Sequence, residues 1–281
     1  MAPHSRENSV FQQPGRGLRV AVIPMVLIWA VVAGCSVNLG HQNVEQDSDL
    51  TLDSLVKGGV ALGGVYNQVK EFTPQEHQNA SRQFNEILKT KRDTIPLTAM
   101  EQVVAALGED SLRALAIPYR ENGSIEGGNL SEIKGSLKDR YLLVARVVAD
   151  GFTTARRMIH PETKKGGGIR VGVSRMREIK VEAHLYDLAQ GELVWSSWVK
   201  TEGGNKVEFF VKKDKRAAQS GLIRRLTEEE EPFEELEPEA RMLVEELYPA
   251  PKDPALVQIL PKALFSLADN LPQKKGGDSP P

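Results

Sequence analysis

Cys35 is the only cysteine in this chain of 281 residues, so it is the first residue to examine for chemistry. A single cysteine excludes intramolecular disulfides, a CxxC redox pair and zinc sites built from several thiolates. One thiol can still act as a nucleophile, and it is the side chain best suited to forming a thioether. Its neighbours Ala33 and Gly34 are small and leave the adjoining peptide bond sterically open. Cys35 is therefore the candidate site of covalent modification.

The histidine, serine and glycine residues of the chain do not form any of the common catalytic or phosphate-binding motifs. The five histidines include no HExxH or comparable metal-ligand pair. His77 and His184 fall on the polar sides of a predicted helix and a predicted strand, so we expect both at the surface. Residues 172–176 only approach a GxSxG nucleophile motif, and the glycines at 166–168 precede a strand rather than a phosphate-binding helix. The motifs predict no enzyme, no metal site and no cofactor.

The composition is that of an ordinary globular protein, with 40% hydrophobic, 26% charged and 6% aromatic residues. These fractions exclude collagen-like, fully disordered and polytopic membrane proteins. Lys and Arg together number 36 and Asp and Glu 38, and the pI is ≈ 6.3. This charge balance predicts no nucleic-acid partner.

The segment before Cys35 has the layout of a secretory signal peptide. Arg6, Arg16 and Arg19 come first, and residues 20–33 then run VAVIPMVLIWAVVA without a charge. As a helix this apolar run would rise about 21 Å, which is short of the ~30 Å hydrocarbon core of a bilayer. A basic flank, a short apolar region and small residues at its end predict export and cleavage rather than a permanent membrane span.

Residues 32–35 read V-A-G-C and resemble the lipobox of bacterial lipoproteins. The resemblance implies that residues 1–34 are cleaved, that Cys35 receives a diacylglycerol, and that its freed amine is acylated. Two or three acyl chains hold a protein stably on a membrane, whereas one chain binds marginally. Ser36 stands where the inner-membrane retention pattern has Asp, which implies an outer-membrane anchor facing the periplasm. The alternative is a buried cysteine in a signal-anchor helix.

The chain from Cys35 onward is predicted to contain a tether, one domain and a tail. Residues 35–54 are polar and without a sustained apolar period, so we expect a lipidated N-terminus and a flexible tether. Residues 55–271 are expected to form a single α+β or α/β domain, with a mixed, largely antiparallel sheet covered by helices. Within it, residues 206–239 form a charged insertion. Residues 272–281 are expected to be a disordered tail.

Local patterns predict the elements of that domain. A capping box that begins at Thr73 predicts one helix, and a second is expected between Thr98 and Gly108. Residues 141–148 (YLLVARVV) are apolar on both parities, which is typical of a central strand covered on both faces. Alternation in residues 169–173 and 179–185 predicts two half-exposed strands, and the second begins a hairpin that continues into residues 193–198.

Trp195 and Trp198 lie at opposite parity on the second strand of this hairpin. One of them should face the core, and the other should face solvent or a partner. An exposed Trp at this place is the candidate anchor of a binding interface, so both residues are candidates at this stage. The alternative is that both rings pack under helices or loops.

The order of signals resembles envelope lipoproteins built like the activators of penicillin-binding proteins and the curli-secretion lipoproteins. The residues that carry the resemblance are GGVALGG (58–64), DRYLLVARVV (139–148), VEAHLYDLAQGELVWS (181–196) and SLADNLP (266–272). The resemblance implies helices packed on a mixed sheet and a noncatalytic role in binding, assembly or regulation, with an envelope protein as partner. An envelope hydrolase, with a site assembled from scattered Asp, Glu and Ser residues, is the alternative.

Overall fold

Six strands form one mixed sheet in the part of the chain that the computed structural model describes, which is residues 39–159, 170–210 and 237–273. Their order across the sheet is β1-β6-β5-β4-β2-β3. The pairs β1–β6, β6–β5 and β5–β4 are antiparallel, whereas β2 pairs in parallel with both β4 and β3. The predicted α+β class with a mixed, largely antiparallel sheet is confirmed. The strands are β1 Leu39–Gln46, β2 Val60–Asn67, β3 Leu97–Thr98, β4 Tyr141–Ile159, β5 Arg170–Asp187 and β6 Glu192–Phe210.

Seven helices of the described residues accompany this sheet. They are α1 Leu52–Gly58, α2 Pro74–Lys91, α3 Met100–Leu107, α4 Glu109–Asn122, α5 Gly127–Ile133, α6 Pro238–Leu247 and α7 Leu256–Asn270. Helices α1, α2 and α7 pack on one face of the sheet, which we name the closed face, through side chains such as Phe84 and Leu264. Helices α3, α4 and α5 pack on the opposite face through side chains such as Leu115. The domain is therefore three-layered.

Strands β2 and β4 lie between the two helical layers, and every residue of β2 is buried. Two glycines let these strands approach each other and their neighbours. A Cβ atom on Gly63 would lie 2.6 Å from Val144, and Gly64 has a φ of +122°, which side chains rarely allow. The register shift at this point places Leu62 and Val65 in the same core cluster. Strand β2 is therefore buried on both faces. In β4, residues 141–147 are also buried and contribute to the clusters on both faces, as predicted for a central strand.

Helix α2 begins as predicted. The Thr73 hydroxyl accepts a hydrogen bond from the Glu76 amide at 3.3 Å, and the Glu76 carboxylate accepts one from the Thr73 amide at 2.9 Å. These reciprocal bonds satisfy donors that a helix N-terminus leaves free. Helix α3 also forms, but its N-cap is Ala99 rather than Thr98. The side chain of Gln102 supplies the acceptor for the Ala99 amide at 3.2 Å.

The predicted tether is corrected by the structure, because residues 39–46 form β1 and α1 begins at Leu52. Strand β1 pairs with β6 from Gln46 opposite Trp195 to Leu39 opposite Thr201. It is the edge strand of the described sheet, and its side chains from residue 43 onward are exposed. Because the side chains of an exposed edge strand contribute little to the core, they need not alternate between apolar and polar. The sequence of β1 therefore lacks the alternation that would have predicted a strand. Residues 39–54 therefore belong to the folded domain, which was predicted to begin at residue 55.

The three strands β4, β5 and β6 are each 18 or 19 residues long. The two strands predicted at 169–173 and 179–185 are in fact parts of the single strand β5. The polar residues between them continue the strand because they are paired: Arg175 Nε donates to Asp253 at 2.7 Å, and Arg177 donates to both oxygens of Asp150 at 2.7 and 2.5 Å.

The predicted charged insertion at 206–239 divides into three parts. Its first residues are the end of β6, and its last residues belong to the start of α6. Residues 211–236 lie outside the described residues, as do residues 274–281 of the predicted tail. Helix α6 packs Val244 into a separate apolar cluster with Val171 and Val173 of β5. Among the described residues, none of the helices combines the length and the apolarity that a membrane crossing needs.

Candidate interaction surface

The candidate lipid site, Cys35, lies outside the described residues, together with Ser36 and the predicted signal peptide at 1–34. Its modification stays a prediction. The position of Leu39 is nevertheless informative, because it places the first described residue at the edge of the sheet opposite Thr201. Four steps along the chain separate Cys35 from Leu39, and these can reach roughly 14 Å when fully extended.

The two candidate tryptophans of β6 have different surroundings. Trp195 is 1% exposed and belongs to the core cluster of the closed face. Its indole N–H donates a hydrogen bond to the backbone carbonyl of Asn270, at the end of α7, at 3.3 Å. Trp198 lies on the opposite side of the strand and is only partly buried. Trp195 is therefore a core residue, and Trp198 is the one that a partner can reach.

Trp198 belongs to a polar surface that we name the open face. The described helices on this side are α3, α4 and α5, and their core cluster includes no residue of β6 or β1. The side chains that these outer strands direct to this side are therefore left partly or fully exposed. Strand register places the members of the open face in adjoining rows. They are Lys180, Glu182 and His184 of β5, Ser196, Trp198 and Lys200 of β6, and Asn43 and Glu45 of β1.

Trp198 sits in the middle of the open face. It lies directly opposite Glu182 on β5 and opposite Asn43 on β1. The ammonium group of Lys180 is 4.7 Å from the centre of its ring, within the range of a cation–π contact. The lysine chain therefore covers part of the indole and leaves the rest available.

A row of ionic hydrogen bonds runs from this lysine toward the interior. Lys180 Nζ donates to Glu182 Oε1 at 3.0 Å, and Arg146 Nη2 donates to Glu182 Oε2 at 3.2 Å. Burial raises the pKa of Glu182, but the hydrogen bonds and charges of Lys180 and Arg146 outweigh it and lower that pKa overall. Arg146 is itself buried on β4 and also donates to the backbone carbonyl of Arg120 at 3.1 Å. Glu182 is thus a fixed carboxylate held between two cations.

His184 is the point where the open face meets helix α4. The Tyr119 hydroxyl donates to the Val144 carbonyl at 3.1 Å and also lies 3.0 Å from His184 Nδ1, with which it shares a hydrogen bond. Burial lowers the pKa of His184, so the ring is neutral at pH 7.

The prediction that His77 and His184 are surface residues is corrected in part, because both are only partly exposed and lie in a row of aromatic rings. His77 stacks on Tyr66 at 4.8 Å between ring centres, and Tyr66 lies 6.0 Å from Tyr119. Tyr119 in turn lies 5.5 Å from His184. Each histidine stood on a polar parity in the sequence, but a tyrosine from another element covers it.

A cleft of about 670 Å³ opens on the α3–α4 side of the sheet, where β2 ends. An envelope hydrolase would need a nucleophile beside a base at such a place. The cleft contains His77, but the Tyr66 hydroxyl donates to the Gly63 carbonyl at 2.6 Å, and burial raises its pKa. Within the described part of the chain, the buried Nε2 atom of His77 has no hydrogen-bond partner, so no hydroxyl there is paired with this base. The described residues also contain no group of three or more His, Cys, Asp or Glu side chains placed to hold a metal ion.

No family model and no curated protein matches the chain. Among solved structures, a PelC dodecamer from Paraburkholderia phytofirmans aligns at 15% identity over 64% of this chain and 91% of that chain, with a TM-score of 0.26. The hypothetical protein CT253 from Chlamydia trachomatis aligns at 11% identity over 57% and 78%, with a TM-score of 0.27. Lipoprotein GNA1162 from Neisseria meningitidis aligns at 11% identity over 61% and 96%, with a TM-score of 0.27. With TM-scores this low, none of these proteins assigns a function to the chain.

Proposed function

We propose that the chain is a lipid-anchored protein of the bacterial envelope that binds a protein partner through its open face and catalyses no reaction. The observation that carries the binding role is Trp198, which is partly exposed on a sheet face that the described helices leave uncovered. Tryptophan is enriched among the residues that dominate binding energy at protein interfaces, since it combines a large apolar area with an N–H donor.

The charges around Trp198 suit the rim of such an interface. Lys180 is bonded to Glu182, and Lys200 Nζ lies 2.8 Å from Glu178. Opposite charges therefore alternate along the two strands, and a partner meets no broad field of one sign. Rim charges of this kind contribute to orientation and selectivity more than to affinity.

The membrane anchor is supported by the sequence before the domain. The V-A-G-C run ends on the only cysteine and follows a basic and then an apolar segment. Because Leu39 is already part of β1, an acylated Cys35 would hold the edge of the sheet within roughly 14 Å of the lipid surface. The partner of the open face is then a protein that is itself at or near the membrane, and Ser36 favours the periplasmic side of the outer membrane.

The anchor is tested by Cys35→Ala in the full chain. We expect this variant to lose metabolic labelling by palmitate and to leave the membrane fraction, because no thiol remains to form the thioether. Ser36→Ala serves as the control and should keep the label. Labelling that persists in Cys35→Ala would refute the anchor, and so would an unmodified Cys35 in the mass of the native protein.

The binding surface is tested by placing the photoreactive residue p-benzoylphenylalanine at position 198 and irradiating intact cells. We expect a crosslinked product of higher mass that contains an envelope protein. The same residue at position 265 is the matched control, because Phe265 is 43% exposed on α7 and lies under Lys91 at 3.6 Å, much as Trp198 lies under Lys180. Equal products from both positions, or none from position 198, would overturn the assignment of the open face.

A further inference from the structure

The cleft at the end of β2 has the size and lining of a ligand site. Its volume of about 670 Å³ lies within the range of small-molecule pockets, which is roughly 300–1,000 Å³. It stands at the carboxyl end of a strand that runs parallel to both of its neighbours, a frequent position for ligands in sheets with parallel strands. Its walls are largely apolar: Phe72, Met100, Val104, Leu112, Ala116 and Ile117.

Two stacked rings form part of the lining of this cleft. Tyr66 and His77 lie 4.8 Å apart with 29° between their planes. A Cβ atom at Gly64 would lie 2.8 Å from His77 Nε2 and 3.1 Å from the Tyr66 hydroxyl, so the glycine makes room for the pair. Burial lowers the pKa of His77, which keeps this ring neutral. The stacked pair therefore adds a flat, uncharged surface on which an apolar chain or ring can lie.

The positive charges at the cleft come from one helix. Arg113 and Arg120 are two turns apart on α4, about 10 Å along the axis, with Ile117 between them. Among the described residues, no carboxylate forms an ion pair with Arg113, although Glu109, one turn earlier on α4, also lines the cleft. Arg120 is bound to Glu71 and, at 3.3 Å, to Glu121; these carboxylate side chains are 76% and 57% exposed, whereas the guanidinium side chain is 25% exposed. An exposed ion pair contributes little, so a ligand anion can replace Glu71 on this arginine.

We propose that this cleft binds an amphiphilic anion, with its apolar part against α3, α4 and the Tyr66–His77 pair and its acidic group on Arg120 or Arg113. The acidic group is a carboxylate or a phosphate, as in a fatty acid or a phosphorylated lipid. Arginine binds either group through two parallel N–H bonds. The site is separate from the open face and does not depend on its partner.

The site is tested on the full chain held in nanodiscs of zwitterionic phosphatidylcholine. The probe is octanoate that carries a diazirine on its chain, and labelled peptides are identified by mass spectrometry after irradiation. We expect the label on peptides of α3 and α4. Unlabelled octanoate and octyl phosphate should each suppress it at concentrations at least tenfold lower than octanol does, and whichever is more effective identifies the preferred head group. Equal suppression by octanol, or label mainly outside these helices, would overturn the proposal.

Variants separate the charged and apolar parts of the site. Arg120→Gln and Arg113→Gln together should reduce labelling of α3 and α4 about tenfold, and Ala116→Trp should abolish it by filling the cleft. Arg82→Gln is the matched control, since Arg82 lies outside the cleft lining and only approaches Glu101 at 3.9 Å. Thermal unfolding confirms that each variant is folded. Undiminished labelling in the folded double Gln variant would contradict the role of the two arginines.

Discussion

Trp195 and Trp198 lie three residues apart on β6, and their surroundings differ in almost every respect. Trp195 points to the closed face, where it is 1% exposed and hydrogen-bonded to the end of α7. Trp198 points to the open face, where it is partly exposed and is covered only in part by Lys180. Because successive side chains of a strand point to opposite sides, one strand can present a core residue and a contact residue within three positions. The core residue Trp195 is therefore expected to matter for stability, and the partly exposed Trp198 for the proposed binding.

The two faces are held by different forces. The closed face buries a continuous apolar cluster from β2, β4, β5 and β6 under α1, α2 and α7. Such burial is the dominant favourable contribution to folding. The open face instead carries ion pairs whose members are partly solvated, such as Lys180 with Glu182 and Lys200 with Glu178. Solvated pairs contribute little to stability, so changes on this face should alter binding more than folding.

The largest effect is expected from Trp195→Ala. Truncation of this buried ring leaves a cavity and orphans the Asn270 carbonyl, so the free energy of unfolding should fall by about 3–5 kcal/mol. Urea unfolding of the purified protein measures this loss. Trp195→Phe, which keeps most of the apolar volume, should lose distinctly less. A loss below about 1 kcal/mol would mean that the closed face does not carry the stability of the domain.

A smaller loss is expected from Arg146→Met. This change keeps much of the buried side-chain volume but removes the donor to Glu182 and to the Arg120 carbonyl. Lys180 still pairs with Glu182, so the cost should be about 1–3 kcal/mol. In the double variant with Glu182→Gln, the losses should be less than additive, because the two residues share one interaction. Strict additivity in urea unfolding would contradict the proposed coupling.

The closed face could be predicted from the sequence much better than the open face. The capping box at Thr73 and the doubly apolar run at Tyr141 each reflect a local rule, and both elements were predicted correctly. Strand β1 was missed because its pairing with β6 joins residues 149 to 162 positions apart and most of its own residues are polar. No local pattern could reveal that partner.

The same reason explains what was missed at the sites. The bond between Tyr119 and His184 joins residues 65 positions apart, so neither residue alone predicts it. The two arginines of the cleft are different, because Arg113 and Arg120 stand seven residues apart within one helix and so share one face. The spacing of the two arginines can be seen in the sequence. The cleft beside them cannot, because residues of α2 and β2 also line it. The odd spacing of the two tryptophans on one strand predicted that they would face opposite sides of the sheet. It did not predict which of the two would be buried.

Acid should weaken the α4 side of the sheet through His77 and His184. Burial lowers the pKa of both in the folded protein, while the unfolded chain keeps values near 6.5. As the pH falls below about 6.5, the unfolded state therefore binds protons first, and stability is lost progressively toward the folded-state pKa values. We expect the free energy of unfolding to decline as the pH is lowered below about 6.5. The decline should be smaller in the double variant His77→Phe and His184→Gln, and an unchanged slope there would exclude both histidines as its cause.

Trp198→Ala is expected to have the smallest effect on folding. It also tests most directly whether the open face serves binding rather than stability. The free energy of unfolding should change by less than about 1 kcal/mol, because the ring lies outside the core cluster of the closed face. Recovery of the partner by affinity capture of the chain from chemically crosslinked cells should fall more than about tenfold if the ring is a central anchor. Phe265→Ala, which removes a more exposed ring that lies under Lys91, should leave recovery unchanged. A stability loss as large as that of Trp195→Ala would place Trp198 in the core, whereas unchanged recovery in a stable variant would mean that partners do not use the open face.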